Sequence, residues 1–412
     1  MDVVVPKEVY DKTTDKLAPV LVWVYGGGYT EGTKTQYPPP GLLYRASQGG
    51  REPIIFVAMN YRLGAYGWLS GPTFQSNSTA NNGLLDQRAA FEWVQQYIDK
   101  FGGDKDRVTV IGESAGGGSI MHHLTAYGGR DLPPFQQAIP QSAAFAPMVS
   151  NKQDDDIYAE FLSLANVTSF EELQAAPSDV VYKANAYQVG HSQYGQFTYG
   201  PVVDGSYVPQ LPGQLLLQGN FNKGVKIMTG KNSQEGILFT NPFISNETDL
   251  RAFMSYYLPT ATDDVLDYIE FTLYPPPPYS NGSLSYTTAI ERLEIFVSES
   301  TFQCNSYYMD AAYSAFNASY GYFFEVPPGI HGEDLVYTFY DNTGFDFGDL
   351  CKLNQTSLSE SERKANDVFS AEHHCRSNAS RLDHNLCSRW RAKLSRCSRR
   401  PQLQNVRPRF PS

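Results

Sequence analysis

Gly112-Glu113-Ser114-Ala115-Gly116 places a serine between the apolar run Val108-Thr109-Val110-Ile111 and the helix-like start Gly117-Gly118-Ser119-Ile120-Met121. A strand that turns sharply into a helix at G-x-S-x-G is a nucleophile elbow. The small flanking residues let the turn hold the serine in a strained conformation with its hydroxyl projecting from the sheet. About ninety residues earlier, Leu21-Val22-Trp23-Val24-Tyr25 runs into Gly26-Gly27-Gly28. Such a run exposes backbone N–H groups. An ester attacked by Ser114 passes through a tetrahedral oxyanion, and each preorganised donor near it contributes about 10²–10³ in rate. Gly27 and Gly28 are the expected donors. Ala115 is the third, because the residue after the nucleophile opens the helix with a free amide.

A serine hydroxyl attacks well only when a base takes its proton and a carboxylate orients that base. Seven histidines compete. His122 and His123 sit on the helix that starts at the serine, His191 lies in a polar stretch, and His373, His374 and His384 fall in an anomalous tail. His331 remains, in the loop Val326-Pro327-Pro328-Gly329-Ile330-His331-Gly332-Glu333-Asp334 beyond the strand-like Tyr320-Gly321-Tyr322-Phe323-Phe324. The chain order Ser…Asp/Glu…His of α/β hydrolases asks for an acid after a strand end between residues 114 and 331. Glu235 follows the strand-like stretch of residues 224–230. Asp204, in an Asp-Gly context, reads as a turn residue, and Asp334 is a neighbouring loop carboxylate. Because the base acts as neutral imidazole, activity should fall as pH drops through about 6 to 7. Glu113, beside the serine, either stabilises the imidazolium or merely lines the site.

These residues together resemble a type-B carboxylesterase, the group of α/β hydrolases that includes cholinesterases and fungal lipases. The resemblance runs in order through Asp2-Val3-Val4-Val5-Pro6, the glycines after Tyr25, Met59-Asn60-Tyr61-Arg62-Leu63-Gly64, Gly83-Leu84-Leu85-Asp86-Gln87-Arg88 and Phe101-Gly102-Gly103-Asp104. It continues through the elbow, Gln141-Ser142, Gly200-Pro201-Val202-Val203-Asp204-Gly205, Glu235-Gly236 and the His331 loop. It implies Ser114 as nucleophile, Glu235 as acid, His331 as base, an oxyanion hole from Gly27, Gly28 and Ala115, a small-molecule ester as substrate, and no cofactor or metal. Gln234 departs from the aspartate that members often carry there, without touching the chemistry. The wording around residues 197–239 and 323–340 is most like secreted fungal members.

The fold expected from these elements is α/β: a central, mostly parallel sheet with helices on both faces and a helical cap over the strand ends. Residues 83–100 read as a helix with Leu84, Phe91, Val94 and Ile98 on its apolar face. Cap helices are expected over 154–176, 179–187, 250–273 and 290–316, with a loop at 188–199 and a rigid polyproline linker at 274–279.

The 412 residues are enough to bury a large core, and 34 Gly with 26 Pro imply many loops. Charged residues make up 18% and aromatics 14%. The first is below the roughly 25% of average domains, as an apolar gorge or acyl pocket would require. No apolar run approaches the roughly 18 residues that span a bilayer. N-x-S/T sequons at Asn77, Asn166, Asn246, Asn281, Asn317, Asn354 and Asn378 are usable only in the secretory pathway. The resemblance likewise implies an extracellular protein. The opening Met1-Asp2-Val3-Val4-Val5-Pro6 has no signal-peptide pattern, and the resemblance places further sheet ahead of it, so the chain reads as starting late.

Residues 1–345 are therefore expected to form the catalytic domain and 346–412 an atypical basic tail. From His373 onward ten Lys or Arg face one acid, Asp383, a net of +9 against −11 for the whole chain. Cys351, Cys375, Cys387 and Cys397 also fall in the tail, leaving Cys304 alone in the catalytic region. Their spacing matches no zinc pattern, and Trp390 alone interleaves the basic run, so neither metal nor nucleic acid is implied. High charge and few large apolar residues predict disorder there. The runner-up to a serine esterase is a cholinesterase-like binding protein without catalysis, or an incomplete and inactive product.

Overall fold

The computed structural model describes residues 1–11, 16–145, 150–281 and 284–340. The expected tail, with its four cysteines and the sequons at Asn354 and Asn378, lies outside the described residues. The chain divides into a unit of residues 1–324 and 329–342 and a second of 325–328 and 343–412; only 325–328 of the second are described.

Among the described residues seven strands form one sheet: β1 (Asp2–Val4), β2 (Ala18–Val24), β3 (Ile55–Ala58), β4 (Gly103–Glu113), β5 (Gln137–Gln141), β6 (Lys226–Asn232) and β9 (Ser319–Phe324). They lie in the order β1-β3-β2-β4-β5-β6-β9. Only β1 runs antiparallel, against β3. The expected mostly parallel α/β sheet is what forms. Its central strands read as nearly continuous apolar runs because helices cover both faces; in β2, Val22, Trp23 and Val24 are fully buried. After β2 the chain steps to β3 on one side, then crosses back to β4 on the other. The crevice at the carboxyl ends of β2 and β4 is thus a topological switch point, where open α/β sheets bind ligands.

Leu84, Phe91, Val94 and Ile98 are fully buried, as the helical periodicity required. The helix itself spans Asn82–Tyr97, and Ile98–Phe101 tightens into a 3₁₀ turn before Gly102. Several cap boundaries differ from expectation, each for a local reason. The segment expected as one helix over 154–176 is two, Asn151–Leu164 and Phe170–Ala175. Between them Asn166 adopts φ +55°, and the Ser169 side chain accepts from the Glu172 amide to start the second helix. The next helix is longer than expected, Ser178–Gly190.

The segment expected as one helix over 250–273 breaks after Glu247–Tyr257, where Pro259 cannot donate to a helical ladder, and resumes at Asp263–Tyr268. The segment expected over 290–316 stays helical as far as Ser314, as Ala289–Val297 and Cys304–Ser314 joined by a π-helical stretch, Ser298–Gln303, and then turns. The polyproline run leads into a small hairpin, β7 (Tyr279–Asn281) with β8 (Leu284–Tyr286). There Tyr286 stacks on Tyr279 and donates to the Pro275 carbonyl at 2.5 Å.

The cap has its own core of Leu250, Phe253, Met254, Leu266, Leu293, Phe296, Val297 and Phe302. Arg292, fully buried, ties it together by donating to the Tyr274 and Glu270 carbonyls and pairing with Glu247. A buried guanidinium is tolerated only when its donors are satisfied in this way.

Candidate active site

At the end of β4, Ser114 adopts φ +57° and ψ −122°, and the helix Ala115–Thr125 starts at once. A non-glycine residue there is held by its surroundings. The Ser114 amide donates to the Gln141 carbonyl at 3.0 Å, and the Ala144 amide donates to the Ser114 carbonyl at 3.0 Å. Gly116 shows why the elbow needs glycine, since a β-carbon on it would lie 2.1 Å from the Val24 carbonyl oxygen. The helix can therefore press directly onto β2, which brings the glycines after β2 beside the serine.

A cavity of about 30 Å³ adjoins Ser114 and is lined by Gly28, Ala115, Tyr29, Phe197, Phe239 and Phe302 among others. Two of the three expected oxyanion donors, Gly28 and Ala115, thus border the space at the serine. Gly27 lies outside that lining, with its carbonyl accepting from the Thr30 and Glu31 amides. Gly28 has φ +58°, and a β-carbon there would lie 2.2 Å from the Phe197 ring.

Adjacent strands β6 and β9 carry Glu235 and His331 past their ends. Asn232 pairs with Phe324, and an isolated bridge joins Gln234 to Ile330. His331 Nδ1 donates to Glu235 Oε2 at 2.6 Å, with the Glu235 side chain fully buried. Glu235 Oε1 accepts from the Asn232 amide at 2.6 Å and from the Ser142 hydroxyl at 2.7 Å. The His331 ring packs on Phe239 and Phe302, both of which line the cavity at Ser114.

The other imidazole nitrogen, Nε2, faces Glu113 Oε1 at 3.1 Å, outside hydrogen-bonding geometry, and neither atom has a hydrogen-bond partner among the described residues. No hydrogen bond joins Ser114 Oγ to His331. Catalytic hydrogen bonds are often loose before substrate binds and tighten in its complex.

Three buried acids surround this histidine. Burial pulls the His331 imidazole down, but Glu113, Glu235 with its hydrogen bond, and Asp334 outweigh burial and push it up to about 9. Burial pushes the Glu113 carboxyl up to about 8, against the opposing pull of His331. The acidic limb expected at pH 6 to 7 accordingly moves upward. A neutral base is needed, so kcat/KM should keep rising with pH beyond 7 and fall as the solution is acidified through that range. Glu113→Gln removes the leading source of the rise and should shift the limb down toward the ordinary imidazole range. A limb unmoved in that variant would show that Glu113 does not hold the proton on His331.

The remaining candidates fall into structural roles. Asp204 accepts from the Ser206 and Val208 amides at 2.7 and 2.9 Å and from Asn81 Nδ2 at 2.8 Å, which is a turn clamp. Asp334 is buried and accepts from the Tyr322 hydroxyl at 2.5 Å and from Gln141 Nε2 at 3.2 Å. His122 contacts the Gly118 carbonyl through Nδ1, and His123 bridges Tyr207 and Gln87. Burial lowers both imidazoles, His122 to about 4. His191 is exposed and stacks on Tyr187.

Sequence reasoning missed Ser142 as a partner of the acid, whereas Glu113, read as either a stabiliser of the imidazolium or a lining residue, does approach the base at 3.1 Å. Ser142 had a signal in the sequence, since Gln141-Ser142 is part of the resemblance; in the fold it follows β5, the strand between those carrying Ser114 and Glu235, and takes φ +44°.

Known proteins bear on this geometry. The family model described as the carboxylesterase family matches residues 1–364. Carboxylesterase patB of Penicillium expansum is 39% identical over 352 residues, covering 84% of this chain and 62% of that protein. Lipase 1 of Geotrichum candidum is 32% identical, covering 70% of this chain and 55% of the lipase. The crystal structure of Aspergillus niger EstA superposes with a TM-score of 0.70 at 28% identity, covering 81% of this chain and 67% of EstA. This chain thus spans about 62% of the length of the patB relatives. The match over residues 1–364 takes in the elbow, the glycines after β2 and the Glu235 and His331 loops alike, so the chain belongs to the carboxylesterase family.

Proposed function

We propose that this protein hydrolyses small-molecule carboxylic esters through an acyl-serine intermediate. The observation that carries the reading is the 2.6 Å bond between Glu235 and His331, on a base whose ring packs against the cavity of an elbow serine. Ser114 Oγ attacks the ester carbonyl and passes its proton to His331 Nε2. Glu235 Oε2 holds the proton on Nδ1 and stabilises the imidazolium that forms. The Gly28 and Ala115 amides, with Gly27, take the charge on the carbonyl oxygen. His331 then protonates the departing alcohol, and a water it deprotonates releases the acid and frees Ser114.

We place the protein outside the cell. The reading is supported by a secreted lipase of Arthroderma benhamiae, 30% identical over 82% of this chain and 65% of its own length, and by the sequons at exposed Asn246 and Asn281. Among the described residues no helix is long and apolar enough to cross a membrane.

A fluorophosphonate should test the nucleophile directly, because it phosphonylates only an activated serine. One label per chain is expected, on the peptide that contains Ser114, with esterase activity lost in proportion. Label elsewhere, or none on a folded chain, would overturn the assignment.

A further inference from the structure

Three consecutive residues after β2 lie in the left-handed region: Gly27 at φ +100°, Gly28 at +58° and Tyr29 at +64°. Glycines take such values without strain, but a bulky aromatic residue does not. Glycine at position 29 would relieve the backbone, so the tyrosine persists in this conformation only because its surroundings over-determine it.

Those surroundings hold it at three points. The Gly64 amide donates to the Tyr29 carbonyl at 2.8 Å, the ring meets Trp68 edge-on with centroids 4.8 Å apart, and the hydroxyl donates to the Ala144 carbonyl at 2.8 Å. The residue is 2% exposed, and burial pushes its phenol far above the ordinary range, so the hydroxyl stays a donor at any working pH. The nucleophile helix is shaped for this approach, because a β-carbon on Gly118 would lie 2.5 Å from the Tyr29 hydroxyl oxygen.

Ala144 connects this bond to the chemistry. Its amide donates to the Ser114 carbonyl at 3.0 Å while its carbonyl accepts from Tyr29. One residue therefore ties the backbone of the serine to the turn that presents Gly28. The two oxyanion donors that border the cavity come from different segments, Gly28 from the turn after β2 and Ala115 from the helix after β4. Such donors act only when both are held at hydrogen-bonding distance from the place where charge develops. The Phe197 ring packs on Gly28 from one side, but a hydrogen bond also fixes direction.

We propose that Tyr29 is a positioning residue for ester hydrolysis: its hydroxyl, through Ala144, holds the Gly28 amide in register with Ser114 and the Ala115 amide. Tyr29 borders the cavity at Ser114, yet its one hydroxyl proton is given to Ala144, so its effect on the reaction is indirect and falls on the transition state. The proposal rests on the esterase reading.

Tyr29→Phe removes only that hydroxyl. With 4-nitrophenyl acetate, and rates counted per serine that a fluorophosphonate labels at completion, kcat should fall by about tenfold to a hundredfold, a part of the about 10²–10³ that one oxyanion donor contributes. KM should stay within about twofold, since the lost interaction belongs to the transition state. An alkyl trifluoromethyl ketone reads the oxyanion separately. Ser114 Oγ adds to its carbonyl carbon, the carbonyl oxygen takes the negative charge, and the serine proton passes to His331 Nε2. Its inhibition constant should therefore rise by the factor by which kcat/KM falls. Tyr313→Phe is the control. It deletes an equally buried hydroxyl bond, 2.7 Å to the Asn222 carbonyl, beside the far end of the nucleophile helix, where the Asn222 amide donates to the Leu124 carbonyl. Neither constant should move in it.

A Tyr29→Phe protein with kcat and ketone affinity within about twofold of the unaltered one, or a loss matched by Tyr313→Phe, would overturn the positioning role and leave the esterase reading intact. A Tyr29→Phe chain that no longer folds would overturn it as well, because the hydroxyl would then be a requirement of the fold and not of the rate. If the unaltered protein shows no Ser114-dependent hydrolysis, the esterase reading and the proposal fail together.

Discussion

Ser114→Ala is expected to lower kcat for 4-nitrophenyl acetate by at least about 10⁴-fold, leaving only what the oxyanion donors and binding supply. The substitution removes one oxygen. Ser114 Oγ makes no hydrogen bond to His331, and the backbone bonds that hold residue 114, to Gln141 and from Ala144, do not involve the side chain. Alanine takes the same positive φ at similar cost, so the melting temperature should change little. Activity and stability therefore separate cleanly. A folded Ser114→Ala protein that kept more than a hundredth of the rate would place the nucleophile elsewhere, and the whole assignment would fall with it.

Glu235→Gln should cost about 10³–10⁴-fold in kcat with little change in KM, for a reason visible in the hydrogen-bond directions. Oε1 accepts from two donors, the Asn232 amide and the Ser142 hydroxyl, while Oε2 accepts from His331 Nδ1. A glutamine has one oxygen and one NH₂. The two fixed donors claim the oxygen, which turns the NH₂ toward Nδ1. His331 must then accept at Nδ1 and carry its proton on Nε2, the atom that has to receive the proton of Ser114. The base is present but in the wrong tautomer. Losing the Glu235 charge also removes part of the upward shift on His331, so the residual activity should show its acidic limb at lower pH. A loss below tenfold, with the limb unmoved, would show that Glu235 neither orients nor charges the base.

The two predictions rest on information of different range. Ser114 was legible because everything that makes an elbow lies within ten residues: an apolar strand, glycines where the backbone must approach its neighbour, a helix after it. The Gly26-Gly27-Gly28 turn was legible for the same reason. The cap helices were read as helices from periodicity, yet their breaks depend on single residues that periodicity averages over, Asn166 in a left-handed turn and Pro259 without an amide proton. Asp204 and Glu235 are both loop carboxylates after apolar stretches, and composition cannot rank them. The preference for Glu235 came from its place beyond a strand end and from the family pattern.

The sequence by itself determined the local chemistry: which serine is presented, which glycines expose their amides, and that a parallel sheet with helices must carry them, since period-2 and period-3.6 patterns are short-range signals. Tertiary structure alone decided what met what. Glu235 and His331 are 96 residues apart and meet because β6 and β9 pair, bringing their following loops to one sheet edge. Ser142 joins them because β5 lies beside β6. Glu113 reaches the base because β4 ends opposite that loop, and burial among three acids sets where the histidine titrates. These are non-local contacts in a low-dielectric interior. Their energies depend on distance and on excluded water, and neither quantity exists until the chain has folded.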